Sequence, residues 1–147
     1  MPGHMIPPRQ VPKDDDGYFE QMTKAIFRSG FSWKVIENKW PHFVEALDRF
    51  SVERVAAYNV DDIERLLSDE GIVRNGRKVE ATVWNARKML ALRAEHGSFR
   101  AYLEAMRGKP YPEVSKQLQQ DFEHLGRTGA FVFLYTVGEE VPSWEDR

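Results

Sequence analysis

An all-α domain of about eight helices is the fold class this sequence predicts, and three observations predict it. Apolar residues recur every third or fourth position along most of the chain. Nowhere do they alternate as a half-buried strand requires. Ser, Asn, Gly and Pro punctuate the periodic runs where helices start and stop. A length of 147 residues suits one core, and 41% hydrophobic with 12% aromatic content supplies the material for it.

Residues 1–16 carry Pro2, Pro7, Pro8 and Pro12 and then three aspartates, which reads as a disordered or extended arm ahead of a helical domain over 17–147. Within the arm, Gly3-His4-Met5 resembles a tag remnant, with Met5 as the natural start. Phe19, Met22 and Ile26, with Ala25, mark a first helix from Tyr18 to Ser29, ended by Gly30. Ser32 is a candidate N-cap, and Trp33, Ile36, Trp40, Phe43, Leu47 and Phe50 continue an apolar stripe that Pro41 is expected to break. Ser51 caps a short helix to Tyr58, and Asn59 caps another with Ile63, Leu66 and Leu67 inward. The run Gly71 to Lys78 leads into a long helix to about His96, with Val79, Val83, Ala86 and Leu90 as its buried stripe. Ser98 caps a short helix through Met106, and 108–112 is a connector. Val114, Leu118 and Phe122 then form one helical face, and Ala130, Leu134 and Val137 another, until Gly138 ends the run.

Several function classes are excluded by composition. Without cysteine there is no disulfide, thiol nucleophile or thiolate metal site. His4, His42, His96 and His124 are scattered, so neither a metal nor another cofactor is expected. No apolar run approaches the roughly 18 residues a membrane span needs, and no signal-peptide core opens the chain, so a cytoplasmic monomer is expected. A net charge of −2 argues against coating nucleic acid by charge alone, while leaving room for a local basic patch.

Three stretches carry chemistry. The first is the corner His124-Leu125-Gly126-Arg127-Thr128-Gly129-Ala130 between the last two helices. Gly126 lacks a Cβ, so its backbone can turn left-handed or touch another molecule closely. The unpaired N–H groups of the helix that follows suit a phosphate, with Arg127 and the Thr128 hydroxyl beside them. The second is Gly30-Phe31-Ser32-Trp33, two aromatics at the mouth between two helices, suited to wedging a duplex and stacking on a base. The third is Arg74, Arg77 and Lys78, a possible second phosphate patch or a solvated charged turn.

These blocks, with Phe19-Glu20 and Asn85-Ala86, resemble in order and spacing the DNA-3-methyladenine glycosylase I family of the helix-hairpin-helix DNA glycosylases, from about Tyr18 to Gly138. The resemblance implies a helical fold that binds double-stranded DNA, flips out an alkylated base and hydrolyses its N-glycosidic bond. It also implies Phe31 as the inserted residue, Trp33 with Tyr18 at the base pocket, and Gly126, Arg127 and Thr128 on a phosphate. Four departures accompany it. The family's pocket carboxylate aligns with Ala25, its zinc-binding cysteines have no counterpart, its N-terminal tyrosine region is missing and leaves only the proline-rich arm and Tyr18, and its first hairpin glycine is His124. A catalytic carboxylate stabilises the positive charge that develops on the sugar. Glu20 is one candidate. Asp146 is another, lying twenty residues past Gly126 as the wider superfamily's Asp does, with Glu145 beside it. Arg147 then ends the sequence before a helix that would hold that Asp, so a C-terminal helix is expected to be lacking. The rival readings are a non-catalytic module that binds distorted or lesion-bearing DNA, and a helical protein-interaction domain.

Overall fold

A computed structural model describes Met1 and residues 6–147, so the tag-like Gly3-His4-Met5 lies outside the described residues. Among the described residues there are eight α-helices and no strand: α1 (Asp15–Arg28), α2 (Trp33–Ala46), α3 (Val52–Ala56), α4 (Val60–Leu67), α5 (Gly76–His96), α6 (Phe99–Ala105), α7 (Tyr111–Asp121) and α8 (Arg127–Thr136). None is long and apolar enough to cross a membrane.

α1 starts within the stretch expected to be arm. The Asp14 side chain accepts from the Gly17 N–H, and Asp15 and Asp16 lie in the first turn, where the helix dipole favours acids. The same aspartates tie the fold together. Asp15 accepts from the Phe99 N–H at 2.9 Å and from Arg93 Nε at 2.7 Å, and Asp16 from the Val52 N–H at 2.9 Å. The expected break at Pro41 does not occur, because α2 runs through it. Pro41 is exposed, so water can reach the carbonyl one turn earlier that the missing N–H leaves without its helical partner. The connector reading of 108–112 is likewise too long: α7 begins at Tyr111 with Pro112 in its first turn, where a missing N–H costs nothing.

α1 packs against α8, and α5 against α3 and α6, around one core. Phe19, Met22, Ile36, Phe43, Phe50, Ala86 and Phe133 are fully buried, each large side chain contributing about 1.5–3 kcal/mol. Trp40 stacks on both Phe43 and Phe50, with ring centroids at 4.8 and 5.2 Å. Ahead of α1, residues 6–12 are not helical, and they lie across the end of α8. The Gln10 N–H donates to the Thr136 carbonyl at 2.8 Å, and Arg9 donates to the Glu139 carbonyl at 2.9 Å. Pro7 and Pro12 are buried, and Arg100 donates to the Pro12 carbonyl at 2.9 Å.

Candidate active site

Five residues, Phe122 to Gly126, join α7 to α8. The left-handed residue in this hairpin is His124, at φ +62°, and not Gly126, which is extended at φ −85°. A non-glycine side chain therefore occupies the position where the backbone most favours glycine. Gly126 serves the other purpose of a missing Cβ: it is exposed, and a Cβ built there meets nothing within 4 Å. No side chain caps α8, so its first amides stand free beside the exposed Arg127. The Thr128 hydroxyl is engaged, accepting from Arg147 Nε at 3.0 Å.

Asn85 holds the hairpin in place from α5. Its Oδ1 accepts from the Glu123 N–H at 2.8 Å, and its Nδ2 donates to the Glu123 carbonyl at 3.1 Å. Arg77 and Trp84 rise from the same helix to line a groove with Glu123 and His124. Trp84 is exposed there, although it follows directly on the buried stripe. Arg74 is exposed at the end of the loop before α5.

Lys78 belongs to a different part of the machinery from the one expected. It is 8% exposed, and its ammonium donates to the Ser29 carbonyl at 2.7 Å and the Phe27 carbonyl at 3.4 Å, with burial holding its pKa below the usual lysine range. An ammonium buried on the last carbonyls of α1 acts as a helix cap and is not available to a phosphate. The bond also fastens the 29–33 corner to the first turn of α5. Phe31 on that corner is 46% exposed, as a wedge must be. Tyr18 is not at the mouth. It is 1% exposed, packed on Phe99 with ring centroids 5.1 Å apart, and belongs to the core.

Trp33 is half-buried, and the Arg28 guanidinium lies over its ring at 5.1 Å from the centroid. Arg28 and Lys24 both reach Glu37, at 3.1 and 2.9 Å. Burial pushes the Glu37 carboxyl up, but the bonds and charges of Lys24 and Arg28 together outweigh it and hold its pKa below the ordinary value. These three side chains and Glu20 form one wall of a cavity of about 170 Å³ that is bordered on its other side by Pro7, Pro8 and Pro12 of the arm. Glu20 accepts from the Trp40 indole N–H at 2.9 Å. Ala25 is buried on the core side of α1, at 3% exposure, and does not line the cavity.

Of the three expected carboxylates, then, only Glu20 lines this cavity. Glu145 and Asp146 lie in a terminal turn (Trp144–Asp146), where Asp146 accepts from the Ser143 hydroxyl at 2.9 Å. The residues do not fit the zinc clip that the family resemblance implies. The chain has no cysteine, and among the described residues no three His, Asp or Glu come together to hold a metal. Sequence reasoning missed Arg28, Lys24, Glu37 and the pinning role of Asn85. A signal existed for Asn85, a polar residue beside Ala86 on an otherwise apolar helix face.

Residues 9–126 match the family model for methyladenine glycosylase. DNA-3-methyladenine glycosylase 1 of Escherichia coli is 32% identical over 83 residues, 56% of this chain and 44% of that protein. DNA-3-methyladenine glycosylase of Haemophilus influenzae is 25% identical over 144 residues, 85% of this chain and 78% of that one. Against the E. coli relative, the matched stretch thus spans less than half the relative's length. The structure of 3-methyladenine DNA glycosylase I from Staphylococcus aureus superposes with a TM-score of 0.78 at 30% identity, covering 88% of this chain and 79% of that one. The chain belongs to the methyladenine glycosylase family.

Proposed function

We propose that this chain is a DNA repair glycosylase: it extrudes an alkylated base from duplex DNA and hydrolyses its N-glycosidic bond. The observation that carries this reading is the convergence of two sites on the first turn of α5. Lys78 of that turn holds the corner bearing Phe31, while its neighbour Arg77 faces the hairpin pinned by Asn85. A wedge and a phosphate holder are thereby built on one rigid support, as an enzyme that unstacks a nucleotide requires. Gly126 and Arg127, with Arg77 and Arg74, hold the backbone through bare amides and charge. Phe31 fills the vacated stack, and the extruded base enters beside Trp33.

Breaking the bond leaves positive charge on the sugar. We assign the stabilisation of that charge, or the orientation of water, to Glu20, a reading supported by its lining a cavity together with Arg28, whereas Glu145 and Asp146 do not. The test is release of free base from alkylated duplex DNA. Release is expected from the native chain and a severe loss from Glu20→Gln and Trp33→Ala; equal release from all three would end the assignment. A second reading, a lesion-binding module without hydrolysis, is favoured by Ala25 standing where the family places its carboxylate. It predicts lesion-dependent, salt-sensitive binding with no free base.

A further inference from the structure

We propose that the groove between α5 and the α7–α8 hairpin is a second nucleobase site, in which Trp84 stacks on one unpaired base of the DNA strand held at the hairpin. The proposal rests on the hairpin's grip on DNA under the glycosylase reading, and it involves neither Glu20 nor bond cleavage.

Three observations carry the inference. First, the groove offers a free aromatic face. Of the four tryptophans, three are engaged: Trp33 by the Arg28 guanidinium, Trp40 by Phe43 and Phe50, and Trp144 by Phe131 and the Arg147 guanidinium. Trp84 is 44% exposed, and among the described residues no ring or cation lies on it. An indole stacks on any base, because every base has a π-face, so such a site tolerates sequence.

Second, the groove lies between the two parts that grip and pry. Arg77, Ala81 and Trp84 recur at helical spacing and share one face of α5. With Glu80, Glu123 and His124 they bound a groove of about 380 Å³, the size of a small-ligand site. One end is the hairpin, at His124 next to Leu125 and Gly126. The other is Arg77, whose neighbour Lys78 holds the Phe31 corner. A strand running from the amides of α8 to the wedge passes Trp84.

Third, the charges favour a base over a phosphate in the middle of the groove. Glu80 and Glu123 are exposed there and repel a phosphate, whereas a nucleobase offers amino donors to them. The phosphates on either side of that base fall to Arg77 at one end and to the bare amides at Arg127 at the other. His124 lines the same groove at a left-handed φ of +62°, where glycine would carry no strain. Strain kept at an exposed ring is accounted for when that ring has a ligand to meet.

The test uses two undamaged duplexes, identical except that one strand of the second carries one extra, unpaired nucleotide. Binding is read by fluorescence anisotropy. The native chain is expected to bind the bulged duplex about tenfold more tightly, the worth of one base stacked on an aromatic ring. Trp84→Ala should bring that ratio to about one while leaving affinity for the fully paired duplex unchanged. Trp84→Phe, which keeps a ring to stack on, should retain most of the preference. A native ratio near one overturns the proposal, as does an unchanged ratio in Trp84→Ala or an equal loss on both duplexes. Dimerisation of the DNA-free chain that is abolished by Trp84→Ala overturns it too, by making the ring a contact between copies. Absence of base release from alkylated duplex overturns the glycosylase reading alone, and failure to bind either duplex overturns both.

Discussion

At the α7–α8 hairpin, the groups offered to a ligand are mostly backbone: bare amides at the start of α8, an uncrowded Gly126, and a turn clamped by two bonds from Asn85. Beside Trp33, every group offered is a side chain, and those side chains already answer one another: Arg28 on the indole, Glu37 on Arg28 and Lys24, Glu20 on Trp40. Amides cannot be substituted away, so the phosphate grip proposed for this hairpin does not depend on keeping any one side chain. A slot written in side chains is rewritten by a few replacements, as Ala25 illustrates.

The strongest way to break this contrast is to unclamp the hairpin. Asn85→Ala removes two hydrogen bonds to the Glu123 backbone, costing about 2 kcal/mol. That corresponds to a melting temperature lower by roughly 6 °C, read by calorimetry, in a domain of this size. DNA affinity should fall with it, and a destabilised variant that still binds DNA normally would place the grip elsewhere. Gly126→Ala separates stability from binding. The backbone there is not left-handed and nothing crowds a Cβ, so the melting temperature should hold. The methyl should nonetheless displace a phosphate oxygen, weakening DNA binding about tenfold, the loss of one charge-assisted hydrogen bond. Arg77→Ala and Arg127→Ala should each lower the slope of log affinity against log salt by about 1, with similar losses on damaged and undamaged duplex.

The smallest effect concerns the slot. The Glu37 pKa is held below its unfolded value, so the stability it contributes is present above the unfolded pKa and disappears as pH falls through the lower folded one. Glu37→Gln should therefore melt slightly below the native chain at neutral pH, with the gap closing in acid. Because Glu37 is half exposed and screened, the gap should correspond to less than about 1 kcal/mol. A gap that persists in acid would mean that Glu37 acts through packing and not charge.

The helices were legible because apolar stripes of helical period run along them and several have a Ser or Asn in front, as at Ser32, Ser51, Asn59 and Ser98. Pro41 misled because a proline on a solvent-facing turn can stay inside a helix, and one sequence does not say which way a turn faces. The hairpin and Phe31 were legible as local motifs. The slot was not, since Lys24, Arg28 and Glu37 look like ordinary surface charge along α1 and α2 and meet only when those helices pack. Lys78 misled for the same reason. Beside Arg74 and Arg77 it reads as one more phosphate ligand, yet helix geometry turns it inward under Ser29.

That inward turn of Lys78 has a mechanical meaning. Residues 77 and 78 are consecutive, one facing the groove beside the hairpin and the other bolted to the loop that bears Phe31. The span from wedge to backbone grip is therefore fixed by a single peptide unit and one buried bond. Under the glycosylase reading proposed above, such a span would work as a ruler: with a phosphate seated at the hairpin, Phe31 would stand at a set distance along the strand, and only a nucleotide at that distance would be tested for damage.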